Sequence, residues 1–291
     1  MEFVFGNYNK HYIKSPLNYT GGKYKLLPQM LPLFPKQIDT FVDMFCGGGN
    51  VSVNVKANKI IANDINTRII DILKTFKNTN IDELLNEITV IIDKYKLSKT
   101  NKEGFLSLRN DYNKSVDKPP IELFVIICYS FNYQFEFNSK GEFNMSFGMN
   151  KSSFNGSIKK NLIEFANASH NIQYISNDFR NLDLSNLTEN DFVYCDPPYL
   201  ITDTTYGRHN FAWTEIEDKN LYNLLDTLNN QGVKFALSNV LSIGEKKNDY
   251  LIEWSKRYNI HYLNIDYSNC CYQKRDKESK SDEVLITNYK C

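Results

Sequence analysis

Four consecutive residues, Asp196-Pro197-Pro198-Tyr199, place a carboxylate, a main-chain carbonyl and an aromatic ring directly after the apolar run 192–195. Neither proline has a backbone N–H and both stiffen the chain, so the Pro197 carbonyl is left to accept a hydrogen bond beside the carboxylate. Two acceptors and a ring that can stack are suited to a planar amine. The alternative is a turn that closes a buried strand, with Asp196 as a helix cap and Tyr199 in the core.

An exocyclic amine on a heterocycle is a weak nucleophile because its lone pair is delocalised into the ring. It becomes reactive when both N–H bonds are held by acceptors outside the ring plane. The Asp196 carboxylate and the Pro197 carbonyl would also oppose the positive charge that grows on the nitrogen during attack. The tetrapeptide therefore predicts methyl transfer to an amine of a nucleobase, with no need for a strong base.

A second segment predicts a strand, a glycine turn and a helix, at 41–45, 46–50 and 51–55. Glycines allow a ligand to approach the backbone closely, and the first N–H groups of a helix are unpaired, as in nucleotide-binding turns. The spacing is not G-x-G-x-x-G, which disfavours a nucleotide-dependent oxidoreductase. Asp64 ends the next predicted strand, about twenty residues after Asp43, where an acid can bind ribose hydroxyls. Without that acid, a tight turn would be the better interpretation.

Three features in this order, at 21–23, 43–49 and 196–199, resemble the alpha group of DNA adenine-N6 methyltransferases, the Dam family. The resemblance covers nearly the whole chain, and phrases such as 95–100 and 253–256 look closest to the T-even phage Dam enzymes. It implies S-adenosyl-L-methionine as cofactor and catalysis by the tetrapeptide, Asp196, Pro197, Pro198 and Tyr199. The implied cofactor-binding residues are Tyr19, Gly22, Lys23, Asp43, Phe45, Gly47, Asp64, Asp178, Phe179 and Asp196.

The order of predicted elements indicates an α/β, Rossmann-like methyltransferase sheet that is interrupted by an insertion. Strands and helices alternate at 39–74 and resume near 171, whereas helical periodicity dominates between them. The strands predicted after the insertion are 172–175, 192–195, 233–237, 261–265 and 283–287. We predict a catalytic, cofactor-binding domain at 1–75 and 166–291. The resemblance implies that the mostly helical insertion, 76–165, is a target recognition domain.

Within the insertion, residues 131–141 look like the DNA-contacting β-hairpin of the family. An enzyme that acts on a base inside a duplex must extrude it, and Phe131 or Tyr133 is the candidate ring to fill the emptied stack. Phe135 and Phe137 are expected to be buried on one face of a strand instead. The candidate DNA-binding residues are Phe131, Asn132, Tyr133, Gln134, Glu136, Asn138, Lys140 and Ser146.

Two recognition positions depart from the family pattern. Members that read GATC usually have arginine where this chain has Glu136, and proline where it has Ser146. Arginine reads guanine, whereas glutamate accepts from a cytosine amino group, and about 1 to 3 kcal/mol of discrimination depends on such a contact. GATC is therefore only the family default. We predict that Glu136 alters the target sequence and leaves methyl transfer intact.

Composition adds few constraints. The formal net charge is zero, but basic residues concentrate at 94–118 and could form a local positive face for DNA. The alternative is a solvated helix face whose lysines are paired by Asp93, Glu103 and Asp111. Cytosine N4, an RNA adenine or a protein glutamine amide could receive the methyl group by the same chemistry. Motif order and the long insertion favour double-stranded DNA, and the acids that are present disfavour an inactive DNA-binding relative.

Cysteines and histidines predict no metal or redox chemistry. The six cysteines lack C-x-x-C spacing and no signal peptide precedes them, which indicates a reduced, cytoplasmic protein, and we expect a monomer. The four histidines lack metal-ligand spacing, so no metal site is predicted. Cys195 ends an apolar strand and is expected to be a packed thiol. The apolar stretch 121–131 is shorter than the about 20 residues that span a bilayer and is expected to be a buried helix.

Overall fold

The computed structural model describes residues 11–202, 213–264 and 281–291. Its strands are β1 (Thr40–Asp43), β2 (Lys59–Asn63), β3 (Ile172–Ile175), β4 (Phe192–Cys195), β5 (Lys234–Ile243), β6 (Lys246–Lys247), β7 (Asn259–Leu263) and β8 (Ser281–Thr287). Its α-helices are α1 (Leu27–Met30), α2 (Thr67–Asn78), α3 (Ile81–Lys94), α4 (Lys102–Lys114), α5 (Pro120–Tyr129), α6 (Gly156–Ala168), α7 (Glu215–Asn230) and α8 (Asp249–Ser255). All five strands predicted after the insertion are present, apart from Ile265, which lies outside the described residues.

The strands form one sheet in the order β3-β2-β1-β4-β5-β8-β7, with β6 paired to β5. Strands β1 to β5 run parallel, and β8 is antiparallel to both β5 and β7. The chain builds outward from β1 to β3 and then returns to place β4 beside β1. Ligands of such sheets bind outside the carboxyl ends of the strands at this switch point. The predicted α/β, Rossmann-like sheet is confirmed.

Side chains of the central strands alternate between two hydrophobic clusters, one on each face of the sheet. Phe41 and Phe192 pack into the larger cluster, whereas Val42 and Val193 pack into the smaller one. All four side chains are buried. Strands covered on both faces have continuous apolar sequences, which is why the run before Asp196 shows no polar alternation.

In segment 76–165, α3 and α4 pack against α5, whose residues from Ile121 to Tyr129 are all buried except Glu122. Pro120 occupies the first turn of α5, where its missing N–H costs no hydrogen bond. The buried helix predicted for the apolar stretch 121–131 is confirmed for 121–129, whereas Phe131 lies beyond its end and is exposed. Leu84 of α3, Leu108 of α4 and Phe124 of α5 belong to the same cluster as Phe41, so the segment shares its core with one face of the sheet.

The helix predicted after the glycine turn is wrong. Ser52–Asn54 forms a single 3-10 turn, and Val55 is already extended. Valines lose side-chain freedom in a helix. In addition, the Asn54 side chain accepts from the Ile13 N–H at 2.9 Å and donates to the Ile13 carbonyl at 2.8 Å. This pairing with a distant part of the chain holds residues 52–54 in a short turn.

The segment 131–141 folds back antiparallel, but its pairing is restricted to the isolated bridges Ser130↔Phe147 and Phe137↔Phe143. Its first part, Phe131–Tyr133, is a 3-10 turn instead of a strand. The reason is the left-handed backbone at Asn132 and Tyr133, with φ of 54° and 58°. The regular pairing of a hairpin is therefore interrupted between the bridge at its base and the bridge near the turn.

Within the described residues, no helix is long and apolar enough to cross a membrane. The same residues contain no group of three or more His, Cys, Asp or Glu side chains that could hold a metal ion. The Cys195 thiol is buried, with its Sγ 3.8 Å from the Met44 Sδ, as expected for a packed thiol. Cys270, Cys271 and His209 lie outside the described residues.

Candidate active site

A cavity of about 790 Å³ opens at the carboxyl ends of β1, β2 and β4, and we call it the switch-point cavity. Its wall brings together most of the sequence-predicted catalytic and cofactor residues: Tyr19, Gly22, Lys23, Asp43, Phe45, Gly47, Asp64, Asp178, Phe179, Asp196 and Pro198. Pro197 and Tyr199 are not part of the wall. Of the predicted DNA-binding residues, Glu136 alone lines it.

Asp196 follows β4 and is held at one oxygen by neighbouring side chains. Its Oδ1 lies 2.8 Å from the Lys23 Nζ and accepts from the Tyr199 hydroxyl at 3.2 Å. The Tyr199 hydroxyl also lies 3.3 Å from the Glu283 Oε1, so two carboxylates share it. Burial raises the pKa of Asp196 above its usual value, and the Lys23 ammonium opposes that shift. The ion pair therefore favours the charged carboxylate that an amine acceptor requires.

Asp43 ends β1 and is almost completely enclosed. Its Oδ2 accepts from the Ser52 hydroxyl at 2.5 Å, but its Oδ1 is buried with no hydrogen-bond partner in the described structure. Burial raises the pKa of Asp43 to about 7, and the Asp196 and Asp64 charges add to that increase. A buried acceptor without a partner is costly. A donor or a positive charge delivered by a ligand would satisfy it.

The glycine turn after β1 is held by Asp64. The two carboxylate oxygens accept from the N–H groups of Gly47 and Asn66, each at 2.9 Å. Gly47 has φ +48°, and a Cβ there would lie 2.9 Å from the Tyr19 ring. A side chain at this position would therefore close the approach to the backbone. Each Asp64 oxygen keeps a second lone pair, so the acid can hold the turn and still accept from a ligand hydroxyl.

Three aromatic rings form one side of the cavity, and we call them the aromatic wall: Phe45, Phe179 and Trp213. Their ring centroids are 5.4 to 5.6 Å apart. The adjacent Asp178 accepts three hydrogen bonds from Arg180, which lowers its pKa. This pairing satisfies much of the hydrogen-bonding capacity of Asp178, so the three rings provide the main ligand-facing surface here.

The predicted DNA-contacting segment divides between two environments. The Phe131 side chain is 48% exposed, whereas Phe135 packs on the Tyr19 ring at 5.5 Å. Phe137 contacts Phe143 at 5.6 Å, and Phe135 and Phe137 are partly buried instead of being buried on the face of a strand as the sequence predicted. Residues 131–134, Asn138, Lys140 and Ser146 lie off the cavity wall.

Three residues with a role in the geometry were not identified from the sequence. Arg68 lies 3.9 Å over the Phe137 ring and donates to the Gly141 carbonyl at 2.7 Å. Glu283 contacts the Tyr199 hydroxyl, and Trp213 completes the aromatic wall. A signal existed for Trp213, because Thr214 and Glu217 form a capping box that begins α7. No local pattern pointed to Arg68.

The order of the mostly parallel sheet, with β8 reversed between β5 and β7, and the acidic cavity at the switch point define a Rossmann-like methyltransferase. The chain belongs to the family described as D12 class N6 adenine-specific DNA methyltransferase, whose model matches residues 19–269.

Three relatives illustrate the similarity. The chain is 52% identical over 283 residues to Type II methyltransferase M.FokI of Planomicrobium okeanokoites, covering 96% of this chain and 43% of that protein. It is 47% identical over 287 residues to Modification methylase StsI of Streptococcus sanguinis, with coverage of 96% and 43%. It is 26% identical over 279 residues to DNA adenine methylase of Escherichia coli K12, with coverage of 92% and 93%. The chain thus spans less than half the length of the first two relatives.

Proposed function

We propose that this chain transfers a methyl group from S-adenosyl-L-methionine to N6 of an adenine that is rotated out of double-stranded DNA. The observation that carries the proposal is the state of Asp196. Lys23 and Tyr199 hold its Oδ1, which fixes the carboxylate and leaves Oδ2 to accept from an amine. The adjacent Pro197 carbonyl would take the second N–H bond.

The residues of the cavity fit the proposed cofactor. The cavity wall carries three acids, Asp43, Asp64 and Asp196, and one buried cation, Lys23, whereas its two arginines, Arg68 and Arg180, are not buried. The interior of the site is therefore suited to a ligand with positive charge. When bound, S-adenosyl-L-methionine supplies an electrophilic methyl group on a positive sulfonium. The unpartnered Asp43 Oδ1 would accept from the cationic amino-acid end, and Asp64 would accept from the ribose hydroxyls.

We also propose that segment 76–165 is the target recognition domain. Phe131 is exposed and can enter the duplex when the adenine leaves it. The basic residues between 94 and 118 form no ion pairs with acidic side chains in the described structure, which favours a positive face over the acid-paired alternative. Such a face would attract phosphate groups. The chain would act as a monomer, and its relatives' names favour a role beside a restriction enzyme.

The decisive experiment mixes purified chain, radiolabelled S-adenosyl-L-methionine and bacterial DNA that lacks N6-methyladenine. We expect label in DNA as N6-methyladenine at one short sequence, and no label after Asp196→Ala. Calorimetry with S-adenosylhomocysteine should show binding to both proteins, which separates catalysis from cofactor affinity. Label in N4-methylcytosine or in RNA, or equal labelling by the Asp196 variant, would overturn the proposal.

The target sequence is tested separately by mapping methylated sites. Glu136 lines the cavity, and resemblance to the Dam family would make GATC the default target. We propose that Glu136 instead selects a different sequence. Glu136→Arg should change the methylated sequence while keeping the overall rate within about threefold. Strict GATC methylation by both proteins would contradict this assignment.

A further inference from the structure

Trp213 is placed to contact a ligand, and the proposed chemistry does not use it. It immediately precedes the capped N-terminus of α7, and its indole contacts both phenylalanines of the aromatic wall. Its side chain is only partly buried, unlike that of Phe179. The side chain lines the switch-point cavity.

Hydrogen bonds on the side away from the cavity fix the orientation of the Trp213 indole. The Trp213 Nε1 donates to the Asp218 Oδ1 at 2.7 Å, and the Asn248 Nδ2 donates to the Asp218 Oδ2 at 3.3 Å. Asp218 is 1% exposed and Asn248 is 3% exposed, so this anchor lies in the protein interior. A tryptophan whose polar atom is already paired presents an apolar, preorganised ring face to the cavity.

The wall of the cavity differs chemically from one part to the other. Asp43, Asp196 and Lys23 form a charged region, and the aromatic wall forms a flat, apolar region. A nucleoside with a cationic substituent matches both regions, because carboxylates attract the charged end and rings stack on a purine.

We propose that Trp213 is a cofactor-positioning residue that stacks against the purine of S-adenosyl-L-methionine, as the third ring of its pocket. This inference rests on the proposed function, because it assumes that cofactor. Through the Asp218 contact, the bound purine would be aligned with the start of α7 as well as with the ends of β1 and β3.

Intrinsic fluorescence tests the inference directly, because the chain contains two tryptophans. The other, Trp254, is buried between Tyr222 and Tyr258 and donates to Asp226, away from the cavity wall. In Trp254→Phe the emission comes from Trp213. S-adenosylhomocysteine and adenosine should each quench it and protect it from acrylamide, whereas methionine should not. In Trp213→Phe, where Trp254 remains, neither nucleoside should alter the emission.

Calorimetry without DNA gives an independent measure of the same contact. Trp213→Ala should weaken S-adenosylhomocysteine binding about tenfold, because base stacking on an aromatic side chain is lost. Trp213→Phe should keep most of the affinity, and Trp254→Phe should keep all of it. If the wild-type chain binds S-adenosylhomocysteine but Trp213→Ala binds it equally well and Trp213 emission is unchanged, the inference fails. If the wild-type chain binds none, the proposed cofactor fails instead.

Discussion

Asp43 combines a raised pKa with an unpartnered oxygen. Its pKa is about 7 in the folded chain against 3.8 as its ordinary value, and the main cause is burial. Between these two pKa values, the folded state therefore binds a proton that the unfolded state has lost. By linkage, the stabilisation from this group is complete at low pH and disappears as the pH rises through about 7.

We therefore expect Asp43→Asn to change how stability depends on pH. The amide cannot ionise, so the melting temperature of the variant should rise relative to that of the wild-type chain when the pH is increased from 5 to 8. Between pH 5 and pH 8 the difference in stability between the two chains should change by about 3 kcal/mol, because roughly two pH units separate pH 5 from the Asp43 pKa of about 7 and each unit corresponds to about 1.4 kcal/mol. Thermal unfolding across this range measures it, with the exposed Asp39→Asn as control. A gap that does not vary with pH would show that Asp43 does not titrate as described.

Lys23 controls the charge of Asp196 in the same cavity. Lys23 is 5% exposed, and its Nζ bridges the Asp196 Oδ1 and the Gly21 carbonyl, both at 2.8 Å. Removing the ammonium would leave a buried carboxylate with no counterion, and its pKa would rise further. A protonated Asp196 cannot accept from the target amine.

Lys23→Met should therefore lower kcat about tenfold or more at pH 7, with partial recovery as the pH increases. The exposed Lys25→Met, two residues away, should have the wild-type pH profile. The measurement is kcat for methyl transfer between pH 6 and 9, with S-adenosylhomocysteine affinity determined alongside. A uniform loss of activity at every pH would indicate a structural role for Lys23 instead of control of ionisation.

Among the secondary-structure elements, α2 and the turn at 138–142 are joined by Arg68. The guanidinium covers the Phe137 ring at 3.9 Å and donates to the Gly141 carbonyl at 2.7 Å. A charged hydrogen bond and a cation–π contact each stabilise by about 1 to 2 kcal/mol at such partly buried sites. Arg68 thus connects the cavity edge of the sheet to the segment that is proposed to contact DNA.

Arg68→Ala should speed amide hydrogen exchange in 138–144 and lower stability to urea by about 2 kcal/mol. Arg68→Lys should recover part of the loss, since lysine cannot provide the planar stack together with the hydrogen bond. Lys74→Ala, on an exposed position of the same helix, serves as the matched control. Unchanged exchange in this segment after Arg68→Ala would show that other contacts hold the turn.

Elements with a strong local pattern were predicted from the sequence. The continuous apolar run 192–195 and the buried stretch in α5 are examples, because burial dictates their composition. The turn at Ser52–Asn54 is shorter than the predicted helix. Its length depends on the hydrogen bonds between Asn54 and Ile13, which are distant in sequence and leave no local pattern. The same limit applies to the site. Asp43 and Asp196 were found as motif residues, but the Lys23–Asp196 pair and the position of Glu136 arise from folding.

At the scale of the whole molecule, the sheet connects two cores. Phe41 and Phe192 enter the cluster that contains Phe124 of α5, while Val42 and Val193 enter the cluster that contains Trp254. If either cluster became exposed to solvent, one face of the same strands would lose its buried contacts. Segment 76–165 is therefore expected to unfold together with the sheet, even though the sequence sets it apart as an insertion.

Two optical probes can test this cooperativity. Helices α2 to α6 contribute much of the far-ultraviolet circular dichroism, whereas Trp254 reports on the opposite face of the sheet, where it is 5% exposed. We expect coincident urea transitions by both probes, as two-state unfolding requires. Phe124→Ala should destabilise the chain by about 3 to 5 kcal/mol and move both transitions together, although Phe124 lies in the other cluster. An earlier loss of helical signal in this variant, with tryptophan emission unchanged, would show that the insertion folds as a separate domain.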